Sequence, residues 1–119
     1  MMFSSDRPIY LQMADRLCDG ILAGTYQDDA RIPSVREFAV TFGVNANTAV
    51  KAYEELAQKG VIYNRRGLGY FVSPGARKEI QLARRLKFLK ETAPELFRQM
   101  RLIGLGIGDL VAAWEKFTP

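Results

Sequence analysis

Residues 32–39 and 43–53 constrain this chain more than any other part, because each carries the punctuation of a short helix and a tight turn joins them. Ser34 is followed three positions later by Glu37. That is the spacing of a capping box, in which the serine side chain accepts from the first turn and the glutamate bonds back. The helix is predicted to run to about residue 41, burying Val35, Phe38 and Ala39. Gly43 supplies a turn with positive φ, and Asn45 is placed to cap a second helix that continues to Lys59 before Gly60 stops it. Its apolar side is Ala49, Tyr53, Leu56 and Ala57, with Val50 alongside. This second helix opens on small polar side chains, Asn45, Asn47 and Thr48. Such residues at the start of the second helix of a helix-turn-helix present hydrogen-bonding groups to base edges in a DNA major groove.

A third element follows. Residues 61–64 and 70–72 read as two short apolar strands around the basic, glycine-rich turn Arg65-Arg66-Gly67-Leu68-Gly69. That is a β-hairpin wing. The expected fold is mainly α with a small β-hairpin, a winged helix-turn-helix over residues 1–75 and a C-terminal helical dimerisation tail over 76–119. The first helix, over about 9–23, carries Ile9, Met13, Leu17 and Ile21 at helical spacing, with Tyr10, Ala14 and Cys18 flanking them. Pro8 stands near its start and Gly24 at its end. Residues 1–7 read as a loose arm and 25–31 as a polar link.

Beyond the hinge Ser73-Pro74-Gly75, apolar residues recur in alternating steps of four and three: Leu82, Leu86, Leu89, Ala93, Leu96, Met100, Ile103. This is the seam of a coiled-coil-like contact. Pro94 either kinks one long helix or starts a second, capped by Thr92 with Glu95. The register runs through it, which favours a kinked, nearly continuous helix. After Gly104, Gly106 and Gly108, Asp109 is placed to cap a last helix with Leu110, Val111, Trp114 and Phe117 on its face. A tail this short is too small to bury both apolar faces alone. A second copy of the chain is the economical cover, with Leu82, Leu86, Leu89, Leu96, Met100, Ile103, Leu110 and Trp114 as the dimerisation residues.

Charge is informative by its distribution. The net charge is +4, yet residues 1–75 hold eight Lys/Arg and eight Asp/Glu, while 76–119 hold nine and five. Within 31–72, six basic residues face three acidic ones, so the reading head is locally positive. Histidine is absent, which removes Ser-His triads, Cys-His pairs and the commonest zinc ligand. Cys18 is the only cysteine, so neither an intrachain disulfide nor a thiolate cluster is available. No catalytic residue, metal or cofactor is expected, and an enzyme is the least favoured class. No apolar run approaches a membrane span, and the start lacks a basic segment followed by an apolar stretch, so a cytoplasmic protein with no membrane partner is expected. The plainer readings also have their places. Tyr53 and Tyr70 are core or flanking packing, and Arg77, Lys78, Arg84, Arg85, Lys87 and Lys90 are a solvated helix face. The glycines at 104, 106 and 108 form a turn.

At Pro33-Ser34-x-Arg36-x-Phe38-Ala39, Gly43-Val44-Asn45-x-Asn47-Thr48 and Arg65-Arg66-Gly67-x-Gly69-x-Phe71-Val72, the chain resembles the GntR family of bacterial transcription regulators. The opening Pro8-Ile9-Tyr10-x-Gln12 resembles that family's first helix, and the short tail resembles its YtrA-like branch of compact dimers, often encoded beside transporter genes. The resemblance implies DNA contact by Arg36, with Ser34 in the same motif, and by Asn45, Asn47 and Thr48. At the wing it implies contact by Arg66 and Gly67, with Arg65 beside them. Many members carry arginine where this chain has Ala46 and Val50, which leaves Lys51 as the basic residue of the recognition helix. The expected function is a homodimeric repressor on an inverted-repeat operator in double-stranded DNA. Two alternatives stand beside it: a sensor gated by an unidentified small-molecule effector bound between tail helices near Phe97, Met100 and Trp114, and a winged-helix module for protein or RNA.

Overall fold

A computed structural model describes residues 6–117. Most of the arm expected at 1–7 therefore lies outside the described residues. Arg7 itself is not loose: its guanidinium bonds the Asp15 carboxylate, and its carbonyl accepts from Gln12 Nε2 at 2.8 Å. The elements in order are α1 (Ile9–Leu22), α2 (Val35–Phe42), α3 (Ala46–Gln58), β1 (Ile62–Arg65), β2 (Gly69–Val72) and α4 (Ala76–Lys87). A π-helical turn (Phe88–Thr92), α5 (Ala93–Leu102) and α6 (Ile107–Lys116) complete the chain. It forms two compact units, one through Gln81 and one from Leu82.

In the first unit the helix boundaries follow from side-chain chemistry. Glu37 N–H donates to Ser34 Oγ at 3.1 Å and Ser34 N–H to Glu37 Oε1 at 3.0 Å, so the capping box is complete. Gly43, at φ 63°, closes α2 in the left-handed conformation that a β-carbon would oppose. Asn45 Oδ1 accepts from Asn47 N–H at 2.7 Å and starts α3. The inner face of α3 carries Ala49 and Ala52, both fully buried. Small side chains there let α3 lie close against Met13, Leu17 and Ile21 of α1, which are equally inaccessible. Ile9, expected on that stripe, stays about half exposed at the helix start.

Tyr53 joins these parts. Its ring is fully buried and meets Phe38 and Tyr70 edge-on, at centroid distances of 5.8 and 5.2 Å. Its hydroxyl donates to the Pro33 carbonyl. One side chain of α3 thus holds the entry to α2 and the wing in place, and burial pushes its phenol pKa well up. Burying such a side chain contributes about 1.5–3 kcal/mol.

The hairpin pairs Ile62 with Val72 through Arg65 with Gly69. Ile62 and Val72 face the core. The end of the polar link before α2 adds itself to the outer edge of β2. Arg31 bridges Phe71, Ile32 N–H donates to the Tyr70 carbonyl at 3.0 Å, and Val72 N–H to the Ala30 carbonyl at 3.0 Å.

In the second unit the helix is continuous through Pro94. Thr92 is helical and makes no capping bond, while Ala93 N–H reaches back five residues to the Phe88 carbonyl. The cause is Pro94, which has no N–H and would crowd the carbonyl of Lys90 in a regular helix. The widened turn takes up one extra residue, which rotates everything beyond it by roughly 100° about the axis. The seam expected from the four-three spacing is therefore not straight. Leu82 and Leu86, before the turn, lie on a different stripe from Leu96, Met100 and Ile103. Asp109 also corrects its assignment: α6 begins at Ile107, and Asp109, in its first turn, accepts from Gly106 N–H at 2.9 Å.

Candidate nucleic-acid interface

The first turn of α3 presents what a groove-reading helix needs. Ala46 and Asn47 are exposed, Thr48 is half-buried, and Lys51 follows Asn47 by one turn on the same face. The two asparagines differ in what they offer. Asn45 Oδ1 is engaged by the Asn47 backbone N–H, so its amide presents mainly its Nδ2 donors. Among the described residues no hydrogen bond engages the Asn47 side chain, so it keeps both a donor and an acceptor. Val50, counted on the apolar side from spacing, is 38% exposed on the outer side of the same helix.

On α2, Arg36 is exposed in the first turn. Its neighbour Glu37 is the obvious salt-bridge partner in the sequence, but that carboxylate serves the Ser34 backbone N–H. The backbone and side chain of Ser34 hold the Glu37 pKa below its ordinary value, with Arg31 adding to the effect. Among the described residues no ion pair engages Arg36, Lys51 or Arg66. Ser34 is half-buried and spends its oxygen on the cap, so its structural part is to set the start of α2.

At the wing, Leu68 N–H donates to the Arg65 carbonyl at 2.8 Å and closes the turn with Gly67 at φ 79°. Arg66 and Gly67 are exposed at the tip. Arg65 is drawn back along the hairpin, its guanidinium carbon 5.1 Å from the Phe71 ring centre and 5.8 Å from that of Tyr63. Arg31 enters the same neighbourhood from the added edge segment. Sequence reasoning counted its charge but not its position, since nothing in Gln27-Asp28-Asp29-Ala30 alternates like a strand. Asp29 takes a positive φ of 60°, a left-handed conformation that aspartate adopts more readily than most residues.

Among the residues expected to dimerise the tail, Leu82, Leu86, Leu89, Ile103 and Trp114 are exposed, and Leu96 and Leu110 are partly so. Met100 is already buried within its own unit. A separate open cleft there is lined by Phe97, Met100, Arg101, Leu105, Gly106 and Ile107, and Trp114 is not part of it. Among the described residues no helix is long and apolar enough to cross a membrane.

Three helices with a capped helix-turn-helix and a basic hairpin wing make this a winged helix-turn-helix fold, the class of protein to which many DNA-binding regulators belong. Residues 9–72 match the model for bacterial regulatory proteins of the gntR family, and the chain belongs to that family. It is 31% identical over 106 residues to the HTH-type transcriptional repressor YtrA of Bacillus subtilis, covering 89% of this chain and 81% of that one. A crystal structure of a GntR-family transcriptional regulator from Bacteroides thetaiotaomicron superposes with a TM-score of 0.73 at 48% identity, over 92% of this chain and 95% of the other. The DNA-binding domain of AraR, solved in complex with an operator, matches with a TM-score of 0.57 at 30% identity, over 60% of this chain and 93% of that domain. The protein is a DNA-binding transcriptional regulator and not an enzyme.

Proposed function

We propose that the protein is a cytoplasmic, homodimeric repressor that reads an inverted-repeat operator with one α3 per half-site. Two features carry this reading: Arg36, Lys51, Arg66 and the Asn47 amide, whose side chains no ion pair or hydrogen bond engages among the described residues, and the exposed apolar side chains of the tail. Asn47 reads a base edge, adenine fitting its donor and acceptor best, and Thr48 meets a thymine methyl or a phosphate. Asn45 caps α3 and offers its Nδ2 donors to the backbone. Arg36, Lys51, Arg65 and Arg66 take phosphates or guanine, Gly67 lets the wing tip approach closely, and Ser34 fixes the helix that carries Arg36. Dimerisation through the tail sets the half-sites one helical turn, or a multiple of it, apart. Repression follows from occupying promoter DNA, a sign supported by the similarity to the repressor YtrA. Control of a transporter operon is the corresponding proposal for its genes.

The test is fluorescence anisotropy on duplex from the gene's own promoter beside a scrambled duplex. Tighter binding to the promoter, lost in Arg36→Ala, is the expected result. Equal binding to both, collapsing steeply with salt, would leave only backbone electrostatics and defeat the sequence-specific reading.

A further inference from the structure

The outer face of the wing carries a cluster that no motif predicted. Strand pairing places Arg31, Phe71 and Tyr63 opposite one another, and Arg65 opposite Gly69. Paired and alternate residues share a face of a sheet, so all five lie on the side opposite Ile62, Tyr70 and Val72, which turn inward. The Tyr63 and Phe71 rings stack at 5.8 Å with 23° between their planes. Arg65 lies over both rings, which restrains its guanidinium plane on this face of the hairpin.

Gly69 leaves room beside the second cation. A β-carbon there would sit 3.3 Å from Arg31 Nε and 3.7 Å from one of its terminal nitrogens, so with any other residue the Arg31 guanidinium would have to give by a few tenths of an ångström. The φ of Gly69, 110°, is likewise a glycine conformation. One acid shares the face. Asp29 Oδ1 accepts from the Tyr63 hydroxyl at 2.7 Å, and among the described residues neither Arg31 nor Arg65 forms an ion pair with it. Two guanidinium groups on one face of a small sheet repel each other, and a bound anion relieves that.

We infer that Arg31 and Arg65, across Gly69 on the outer face of the wing, form a phosphate-binding site for the sugar–phosphate backbone of the duplex that α3 reads. This rests on the DNA-binding reading above and adds Arg31, which lies outside the helix-turn-helix and the wing turn. Arginine suits the task because its planar fork bonds two phosphate oxygens at once. A phosphate contact carries no sequence preference, so its loss weakens all duplexes alike.

The experiment measures binding of the full chain to the promoter duplex and to a scrambled duplex across a salt series, for wild type, Arg31→Gln and Arg31→Lys. Arg31→Gln is expected to weaken both duplexes by a similar factor and to lower the slope of log K against log salt by about 0.9, the share of one phosphate. Its thermal midpoint should match wild type, and Arg31→Lys should keep the wild-type slope. An unchanged slope in Arg31→Gln, with wild type binding normally, would overturn this site and leave the DNA-binding reading intact. A weaker affinity with an unchanged slope, on a less stable protein, would mean a structural role and overturn it too. No binding by wild type to either duplex would remove both.

Discussion

The two units solve the same problem differently. Among the described residues through Gln81, only Ile9, Val40, Val50 and Leu68 are large apolar side chains left exposed, and a single cluster from Met13 to Ile80 is buried. Among the described residues from Leu82 onward, twelve large apolar side chains are exposed and only Ala93 and Met100 are buried. The head owns its core. The tail has a helical backbone, sustained by local hydrogen bonds, and exposes a dense set of large apolar side chains, the kind of surface that marks an interaction site. Stability should therefore be a property of the single chain in the head and of the assembly in the tail.

The largest effect expected from that contrast is at Leu17, which is 1% exposed. Leu17→Ala should cost about 2–5 kcal/mol in urea unfolding, because the close packing of α1 on α3 leaves a cavity that cannot collapse. Leu86→Ala, at a residue 66% exposed in the single chain, should cost little at low protein concentration. A Leu86 loss as large as that at Leu17 and independent of concentration would erase the contrast.

Next comes the assembly itself. Leu89→Asp puts a charge on the exposed tail face, and if the chain dimerises there as proposed, sedimentation should show dimer for wild type and monomer for the variant, while the head's unfolding midpoint stays put. A dimer that survives would place the contact on the stripe beyond the π-turn, with Leu96 and Ile103, which the rotation at Pro94 separates from Leu86. A fall in the head's midpoint would mean that the head, too, depends on the partner.

The third effect tests whether the head's surface is separable from its core. Asn47→Ala should weaken promoter binding by about 1–3 kcal/mol, the worth of one good base contact, without moving the unfolding curve. Asn45→Ala should do both, because its oxygen also caps α3. If the two variants behaved alike, the division of labour between a capping and a reading asparagine would fail.

Legibility in the sequence followed the range of the forces involved. Ser34, Glu37, Gly43, Asn45 and Gly60 act within a few residues, and each stands where its spacing put it. Tyr53 was legible as core because it falls on the α3 stripe, though not its bond to Pro33, twenty residues away. The edge segment at Arg31 was hidden because its pairing partner lies forty residues on and its own pattern is polar. Pro94 was read as a kink, but its effect lands upstream, in the π-turn before it, which interrupts the four-three register. The candidate contact residues of α3 and the wing were named by motif; the fold adds that Asn47, Lys51 and Arg66 are exposed and that among the described residues no ion pair engages Lys51 or Arg66.

The smallest expected effect concerns the capping box, where the head's local order meets solvent. The bonds from Ser34 lower the Glu37 pKa below its ordinary value of 4.5. A group whose folded pKa is depressed contributes stability above its unfolded pKa and loses it as pH falls through the folded value. Glutamine keeps the geometry of the box but does not titrate. Wild type should therefore melt above Glu37→Gln near neutral pH, with the gap closing as the solution is acidified below the ordinary glutamate range. Because Glu37 is fully solvated, the gap should be small and should shrink further in high salt. A gap that stayed constant down to acid would mean that the charge adds nothing to α2 and that the hydrogen bonds alone hold its first turn.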